Sequence, residues 1–256
     1  MPPSELNQAF KQAVMLVKGT HQGVTLTGAG ISTPSGIPDF RSKESGLWKR
    51  YDPKEVVSLS TFRYKPEVFF NWLRPLAHNI IEAQPNPAHI ALAQLENSGY
   101  VNTIITQNID GLHQKAGSQQ VLEVHGTLRT LTCIRCYKNY NAVNFFEPFI
   151  EQGIIPHCPE CKGILKPDAI LYEEQLPVKT WIKAVTVCKK CDLMIIAGSS
   201  LEVLPVAGLP IRALENGASL VMINKSPTYL DIRADVILRG DVAQILPEIA
   251  AEVLRD

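Results

Sequence analysis

Charge of one prevailing sign is missing from this chain. Its 25 Lys and Arg stand against 25 Asp and Glu, a formal net charge of +0. No global field therefore recruits nucleic acid or an anionic membrane. Long apolar runs are missing too: no stretch approaches the roughly 18 residues that a membrane span needs. The opening residues, MPPSELNQAF, carry neither a basic region nor an apolar stretch, so they do not read as a secretory signal and the cytoplasm is the expected compartment. Internal repeats and low-complexity segments are absent as well. What is left, 256 residues with 45% hydrophobic and 20% charged content, is an ordinary globular composition able to bury one large core, or one plus a small satellite.

Cysteine, by contrast, is present in a pattern. Six of them form three pairs of identical spacing, Cys133/Cys136, Cys158/Cys161 and Cys188/Cys191. In a small secreted chain this would suggest disulfides; here metal or redox chemistry is the better expectation. The first two CxxC knuckles lie about 20 residues apart, a zinc-ribbon pattern. Four thiolates make a closed tetrahedral site with no position left for water, so one zinc on Cys133, Cys136, Cys158 and Cys161 is expected to be structural. The surrounding segment, Leu131 to Lys166, has little apolar periodicity, and pieces below roughly 40 residues seldom fold without such a staple. His157 is adjacent to Cys158 but would break the CxxC geometry as a ligand. Cys188 and Cys191 have no partner knuckle and read as small buried hydrophobes, with a redox-sensitive dithiol as the alternative.

Periodicity predicts an amphipathic helix from Ser4 to Lys18, a helix opened by Asn86-Pro87 and closed at Gly99, and a final helix over Val242–Leu254. Between Ser42 and Gln84 the pattern is helical and aromatic, and glycine is missing after Gly46. Short apolar strands are expected at Val24–Thr27, Val101–Thr106, Leu193–Ala197, Ser219–Ile223 and Val236–Leu238, with an extended run at Gln120–Val124. Four of these end in polar or glycine-rich clusters: Gly28-Ala29-Gly30, Gln107-Asn108, Gly198-Ser199-Ser200 and Asn224. In an open α/β sheet ligands bind at the carboxyl ends of the strands, so one crevice should collect all four.

Val24–Thr27 followed by Gly28-Ala29-Gly30, with a helix expected next, is how such a sheet cradles a pyrophosphate. The continuation, Ser35-Gly36-Ile37-Pro38-Asp39-Phe40-Arg41, adds a turn, a carboxylate, an aromatic ring and a guanidinium. This stretch resembles the sirtuin family of NAD-dependent protein-lysine deacylases, closely at Gly28–Ser32 and Ser35–Arg41. Thr106-Gln107-Asn108-Ile109-Asp110, Val124-His125-Gly126 and Gly198-Ser199-Ser200 carry the resemblance over most of the chain.

The resemblance implies a doubly wound, Rossmann-like parallel sheet with a smaller zinc-binding and helical domain formed by two insertions. Residues 1–41, 86–128 and 169–256 would bind NAD, and 42–85 with 129–168 would form the small domain. The implied reaction removes acetyl, or another short neutral acyl group, from protein lysine and consumes NAD, so acetylated peptides or proteins are the expected partners, with no specific nucleic acid and no membrane. By the same resemblance, Asn108, Ile109 and Asp110 line the nicotinamide pocket beside Asp39 and Phe40, and Arg41 and Asp39 order the loop around the cofactor. Gly28, Ala29, Gly30, Thr33 and Gln107 are further NAD contacts. Gly198, Ser199, Ser200, Asn224, Lys225, Ser226 and Val242 would hold the adenosine half. His125 would be the general base, with Asn108 and Asp110 completing the catalytic group. Imidazole chemistry suits the role, but the residues alone leave His113 as a rival; the resemblance selects His125 and leaves His113 a scaffold hydrogen bond. His89 and His21 read as structural.

Two departures and one preference complete the reading. A dinucleotide fingerprint of the dehydrogenase type needs a third glycine where Thr33 stands, which argues against hydride transfer. A zinc-ribbon nucleic-acid module is opposed by the charge balance. ADP-ribosyltransferase or NAD glycohydrolase activity would use the same pocket. In relatives, the strand Lys166–Tyr172 and its loop end in aromatic-Gly-Glu and clamp the substrate backbone with Leu201–Val203; here Glu173 replaces the glycine. Relatives that remove acidic acyl groups carry a Tyr and, three residues on, an Arg, where alignment puts Phe70 and Leu73. A one-residue shift would bring Asn71 and Arg74 there instead.

Overall fold

The structure, a computed structural model, describes residues 3–39 and 51–255. Its strands are β1 (Gly23–Thr27), β2 (Thr103–Thr106), β3 (Val121–Glu123), β4 (Gly126–Cys133), β5 (Asn139–Asn141), β6 (Leu165–Ala169), β7 (Leu193–Ala197), β8 (Ser219–Asn224) and β9 (Val236–Arg239). The helices are α1 (Pro3–Lys18), α2 (Pro53–Val56), α3 (Leu59–Tyr64), α4 (Pro66–Glu82), α5 (Pro87–Asn97), α6 (Leu112–Lys115), α7 (Val143–Gln152), α8 (Val178–Lys190), α9 (Leu209–Leu214) and α10 (Val242–Val253).

Six strands form one parallel sheet in the order β3-β2-β1-β7-β8-β9. Its central strands read GVTLT and LMIIA, and every residue of both is buried. Burial along the whole strand suits strands covered on both faces. One face is packed by Val17 of α1, Leu92 and Leu95 of α5 and Leu246 and Ile249 of α10. The other is packed by Ala184 and Cys188 of α8 and Leu209 and Ala213 of α9. From β1 the strand order runs to β2 on one side and to β7 on the other, so the switch point lies between β1 and β7.

Asn86 caps α5 as the sequence implies, accepting the Ala88 N–H at 2.9 Å, with Pro87 in the first turn. Two expectations change. No α-helix follows Gly28–Gly30; two 3₁₀ turns, Ala29–Ile31 and Thr33–Ser35, stand there. The Gly30 N–H goes to the Gly198 carbonyl at 2.8 Å, which ties the loop to β7. The second strand begins at Thr103 rather than Val101, because the Val101 N–H is taken by Leu95 O at the end of α5.

The insertions lie beyond the ends of the large sheet's strands. A three-stranded antiparallel sheet, β5-β4-β6, carries the cysteine knuckles, with α7 beside it. Arg74 of α4 donates to the carbonyls of Ile150 and Glu151 at the end of α7, at 2.7 and 2.9 Å. Phe70 packs edge-on against Phe149, ring centroids 5.6 Å apart. The helical and cysteine-bearing insertions thereby share an apolar cluster that includes Phe62, Phe69, Leu73 and Phe149.

The Sγ atoms of Cys133, Cys136, Cys158 and Cys161 all lie within 4.8 Å of one another, which fits four thiolates around one zinc. His157 points elsewhere, its Nδ1 on the Ile155 carbonyl at 2.7 Å. Around the knuckles the apolar support is small, with Leu131, Ala142 and Leu165 buried beside Cys133 and Cys158. Cys188 and Cys191 are buried in the sheet core, and burial pushes their thiols up to about 12 and about 11, far from thiolate reactivity. Cys158→Ala is expected to lose bound zinc and soluble folded protein together, read by metal analysis and circular dichroism; a folded, metal-free variant unfolding like the parent would show the site to be dispensable.

Candidate active site

All strands of the large sheet run the same way, so the ends of β1, β2, β7 and β8 open on one edge. There the loops after β1 and β7 touch backbone to backbone. A Cβ on Gly28 or Gly30 would come within 2.9 or 2.8 Å of the Gly198 carbonyl oxygen. Gly198 has φ +63, and a Cβ there would meet the Ile31 nitrogen at 2.4 Å. The three glycines are therefore fixed by mutual packing, beyond any ligand they admit.

The turn after β2 builds the polar floor. Ser32 is its hub: its hydroxyl donates to Asp110 Oδ2 at 2.7 Å and accepts from Asn108 Nδ2 at 3.0 Å. Asn108 Nδ2 also reaches the Gly28 carbonyl at 3.1 Å, and Asp110 Oδ1 accepts the Leu112 N–H at 2.9 Å. Burial pushes the Asp110 carboxyl above its ordinary value, against the opposing pull of these hydrogen bonds. His125 ends the turn into β4. Its Nδ1 lies 3.0 Å from the Gln107 carbonyl, which can only accept, so Nδ1 carries the proton and Nε2 holds the basic lone pair. Gly126 follows with φ +74, where a Cβ would sit 2.0 Å from the Asp168 carbonyl oxygen, so β6 fixes the backbone next to the imidazole.

Ala29, Ser32, Gln107, Asn108, Ile109, Asp110 and His125 line a cavity of about 320 Å³. Its far wall is apolar: Phe69, Trp72, Leu73, Leu76 and Ile80, one face of α4, with Leu128 and Leu171 opposite. Of the two aligned positions, Leu73 lines the cavity, while Phe70 packs on Phe62 and Phe149 and Phe69 stands in the wall. Arg74 is occupied by the α7 carbonyls, so the alternative register gains no support. Among the described lining residues there is no Lys or Arg.

The second half of the crevice runs along β7 and β8. Ser199 accepts from Gln107 Nε2 at 2.8 Å, linking the two halves, and Ser200 is exposed beside it. Asn224 Nδ2 donates to the Ser199 carbonyl at 2.9 Å and the Ser226 carbonyl at 3.2 Å. Lys225 pairs with Asp241 at 2.8 Å. Val242 is buried at the start of α10, and Thr33 turns its hydroxyl to the Gly30 carbonyl at 3.1 Å; neither lines the cavity. Asp39 is half-buried beside the Pro38 wall residue, while Phe40 and Arg41 lie outside the described residues.

Sequence reading passed over Ser32 and His89 as parts of this floor. His89 is fully buried, with Nε2 3.5 Å from Ser32 Oγ and Nδ1 accepting the Asn86 N–H at 3.4 Å in a capping box. The spacing Asn86 to His89 was the available signal. His113, also buried, contacts Thr27 Oγ1 through Nε2 at 2.9 Å and stacks edge-on to His89 with centroids 4.9 Å apart. Its contacts are with Thr27 and His89, and His113 does not line the cavity.

Fold and crevice define a doubly wound α/β protein with its cavity at the switch point. Residues 28–205 match the Sir2 family, and the chain belongs to it. It is similar to an NAD-dependent protein deacylase 2 of Archaeoglobus fulgidus, 44% identical over 246 residues and 96% of each chain. It is likewise similar to an NAD-dependent protein deacetylase 1 of Geobacillus kaustophilus, 42% identical over 234 residues, covering 90% of this chain and 94% of that one. Among solved structures, one described under the mechanism and regulation of Sir2 enzymes superposes with a TM-score of 0.89 at 42% identity, covering 96% of this chain and 98% of that one. A Sir2 with p53 peptide and NAD+ gives 0.86 at 36% identity, covering 95% and 98%.

A pH dependence follows from His89. Its Nδ1 faces an N–H donor, so only the neutral ring fits, and burial lowers its pKa to about 4. The unfolded ring binds a proton near pH 6.5 and the native ring does not. Stability from this residue is thus complete above about pH 6.5 and is lost as pH falls toward about 4, on the order of 3 kcal/mol in all. Asp110, raised by burial, contributes with the opposite sign. His89→Gln keeps a capping-box residue but cannot titrate. Urea unfolding from pH 7 to 4.5 should show a shallower decline for that variant than for the parent, whatever its absolute stability; equal slopes would contradict the assignment.

Proposed function

We propose that this chain removes acetyl, or another short neutral acyl group, from protein lysine, consuming NAD and water and giving nicotinamide and O-acyl-ADP-ribose. The observation that carries the reading is the cavity in which His125, oriented by Gln107, meets Asn108 and Asp110 across from an apolar wall. Membership in a family whose relatives are named NAD-dependent deacetylases and deacylases supports it, as does a solved Sir2 bound to a propionylated peptide.

In this reading the acyl oxygen attacks the ribose carbon bearing nicotinamide, and the C–N bond to nicotinamide breaks. His125 takes a ribose hydroxyl proton on Nε2 while Nδ1–H stays on the Gln107 carbonyl. The freed oxygen adds to the acyl carbon, the lysine amine departs, and after addition of water the acyl group remains on ADP-ribose. Asn108 and Asp110, held by Ser32, line the nicotinamide pocket with Ile109, beside Asp39 and Phe40. Gly28, Ala29, Gly30 and Thr33 serve the pyrophosphate side, and Arg41 with Asp39 orders the loop around the cofactor. Gly198, Ser199, Ser200, Asn224, Lys225, Ser226 and Val242 serve the adenosine side. Zinc on the four cysteines stiffens the small domain, for which we propose the boundaries 42–85 and 129–168, and takes no part in the chemistry. Acyl-lysine proteins in the cytoplasm are the substrates we propose; among the described residues no helix is long and apolar enough to cross a membrane.

Nicotinamide release should require an acetyl-lysine peptide. Release of equal rate without peptide would favour a glycohydrolase, and no release with no NAD binding would remove the reading. His125→Ala should lower kcat by roughly 10²–10⁴-fold while NAD still binds, since a general base acts in the transition state. His113→Ala should cost stability more than turnover; a folded, inactive His113→Ala beside an active His125→Ala would reverse the two roles.

The cavity also sets acyl preference. A succinyl carboxylate in it would meet Phe69, Trp72 and Leu73 with no cation among the described lining residues. An unpaired buried charge costs several kcal/mol, so kcat/KM for a succinyl peptide should fall on the order of hundreds-fold below that for its acetyl twin, with butyryl close to acetyl. Succinyl removal equal to acetyl removal would overturn this.

A further inference from the structure

We propose that Glu173 selects substrates carrying a basic residue beside the acylated lysine, an inference that rests on the deacylase reading above. Among the described residues lining the cavity, Tyr172, Glu173 and Leu204 are the exposed ones and therefore frame its mouth. A polypeptide that feeds a lysine side chain toward His125 has to cross them.

The mouth is rigid on the Glu173 side. The Tyr172 N–H donates to the Val57 carbonyl at 3.1 Å, and the Leu59 N–H to the Tyr172 carbonyl at 3.0 Å. Glu173 itself sits at φ +74, a left-handed conformation rare for a residue with a side chain. What holds it there is Ser60 at the start of α3, whose N–H donates to Glu173 Oε2 at 3.0 Å and whose hydroxyl donates to the same oxygen. These bonds hold the carboxyl below its ordinary range, so it is charged at neutral pH. The next residue differs: Glu174 pairs with Lys166 at 2.9 Å and accepts the Leu171 N–H at 2.9 Å, so its charge is balanced internally. No ion pair engages Glu173 among the described residues. A fixed carboxylate at the mouth, with no ion pair among the described residues, loses little side-chain entropy on meeting a cation.

Exposed ion pairs are modest, so the expected discrimination is roughly two- to fivefold per flanking charge, and it should shrink as salt shortens the Debye length. The experiment uses three acetyl-lysine peptides of one length, flanked on both sides by Arg, Ala or Glu, with KM from nicotinamide release and Kd from fluorescence anisotropy at low and high salt. The full-length enzyme should rank them Arg, Ala, Glu in rising KM and Kd. Glu173→Gln and Glu173→Gly should both flatten that ranking, the glycine variant without the left-handed penalty. A ranking unchanged in both variants, or no ranking at low salt in the parent, would overturn the proposal. Turnover of all three peptides at equal KM and Kd would leave deacylation standing and remove Glu173 as a selector. A binding ranking that depends on Glu173 with no turnover of any peptide would keep the selector and remove deacylation.

Discussion

The crevice depends on one close approach, that of the backbone after β1 to the backbone after β7. Gly30 N–H meets the Gly198 carbonyl at 2.8 Å, and a Cβ on Gly28, Gly30 or Gly198 would put heavy atoms within 2.9 Å of backbone. Real side chains do not occupy such space, so any substitution there has to part the strands' ends. Because the contact sits at the switch point, parting it would displace both halves of the site. The Gln107–Ser199 hydrogen bond at 2.8 Å and the Asn224–Ser199 bond at 2.9 Å span the same seam.

From that seam a buried polar net reaches the chemistry. Ser32 lies two residues beyond Gly30 and gathers Asn108, Asp110 and His89, while Asn86 ties α5 to the Ile31 carbonyl at 2.7 Å. Each member is satisfied by another, which is the condition for burying polar groups without a large penalty. The net turns a strand-end loop into a preorganised floor, and the Gln107 carbonyl orients His125 from the same loop.

Much of this was legible in the chain. Strands showed as apolar runs ending in polar clusters, and parallel pairing then dictates that the clusters meet; the knuckle spacing gave the four thiols that lie within 4.8 Å. Other features are tertiary and left no local trace. The glycines after β1 look like a helix start, but only two 3₁₀ turns follow them, and the Gly30 N–H is spent on the Gly198 carbonyl. Phe69 and Phe70 are equivalent in composition, and only the position of the cavity relative to α4 says which of them faces it. His89 reads as an ordinary helix residue until the Asn86 N–H and Ser32 are seen on its two nitrogens. Glu173 was visible as a substitution, and its anchorage on Ser60, a distant residue in sequence, was not.

The central claim is that the cleft transfers an acyl group from lysine to ADP-ribose through His125. Its most direct test is a single-turnover reaction of enzyme, NAD and one acetyl-lysine peptide, quenched and analysed by mass spectrometry. Nicotinamide, deacetylated peptide and O-acetyl-ADP-ribose should form in equal amounts. Free ADP-ribose forming with the acetyl group still on the peptide would contradict it.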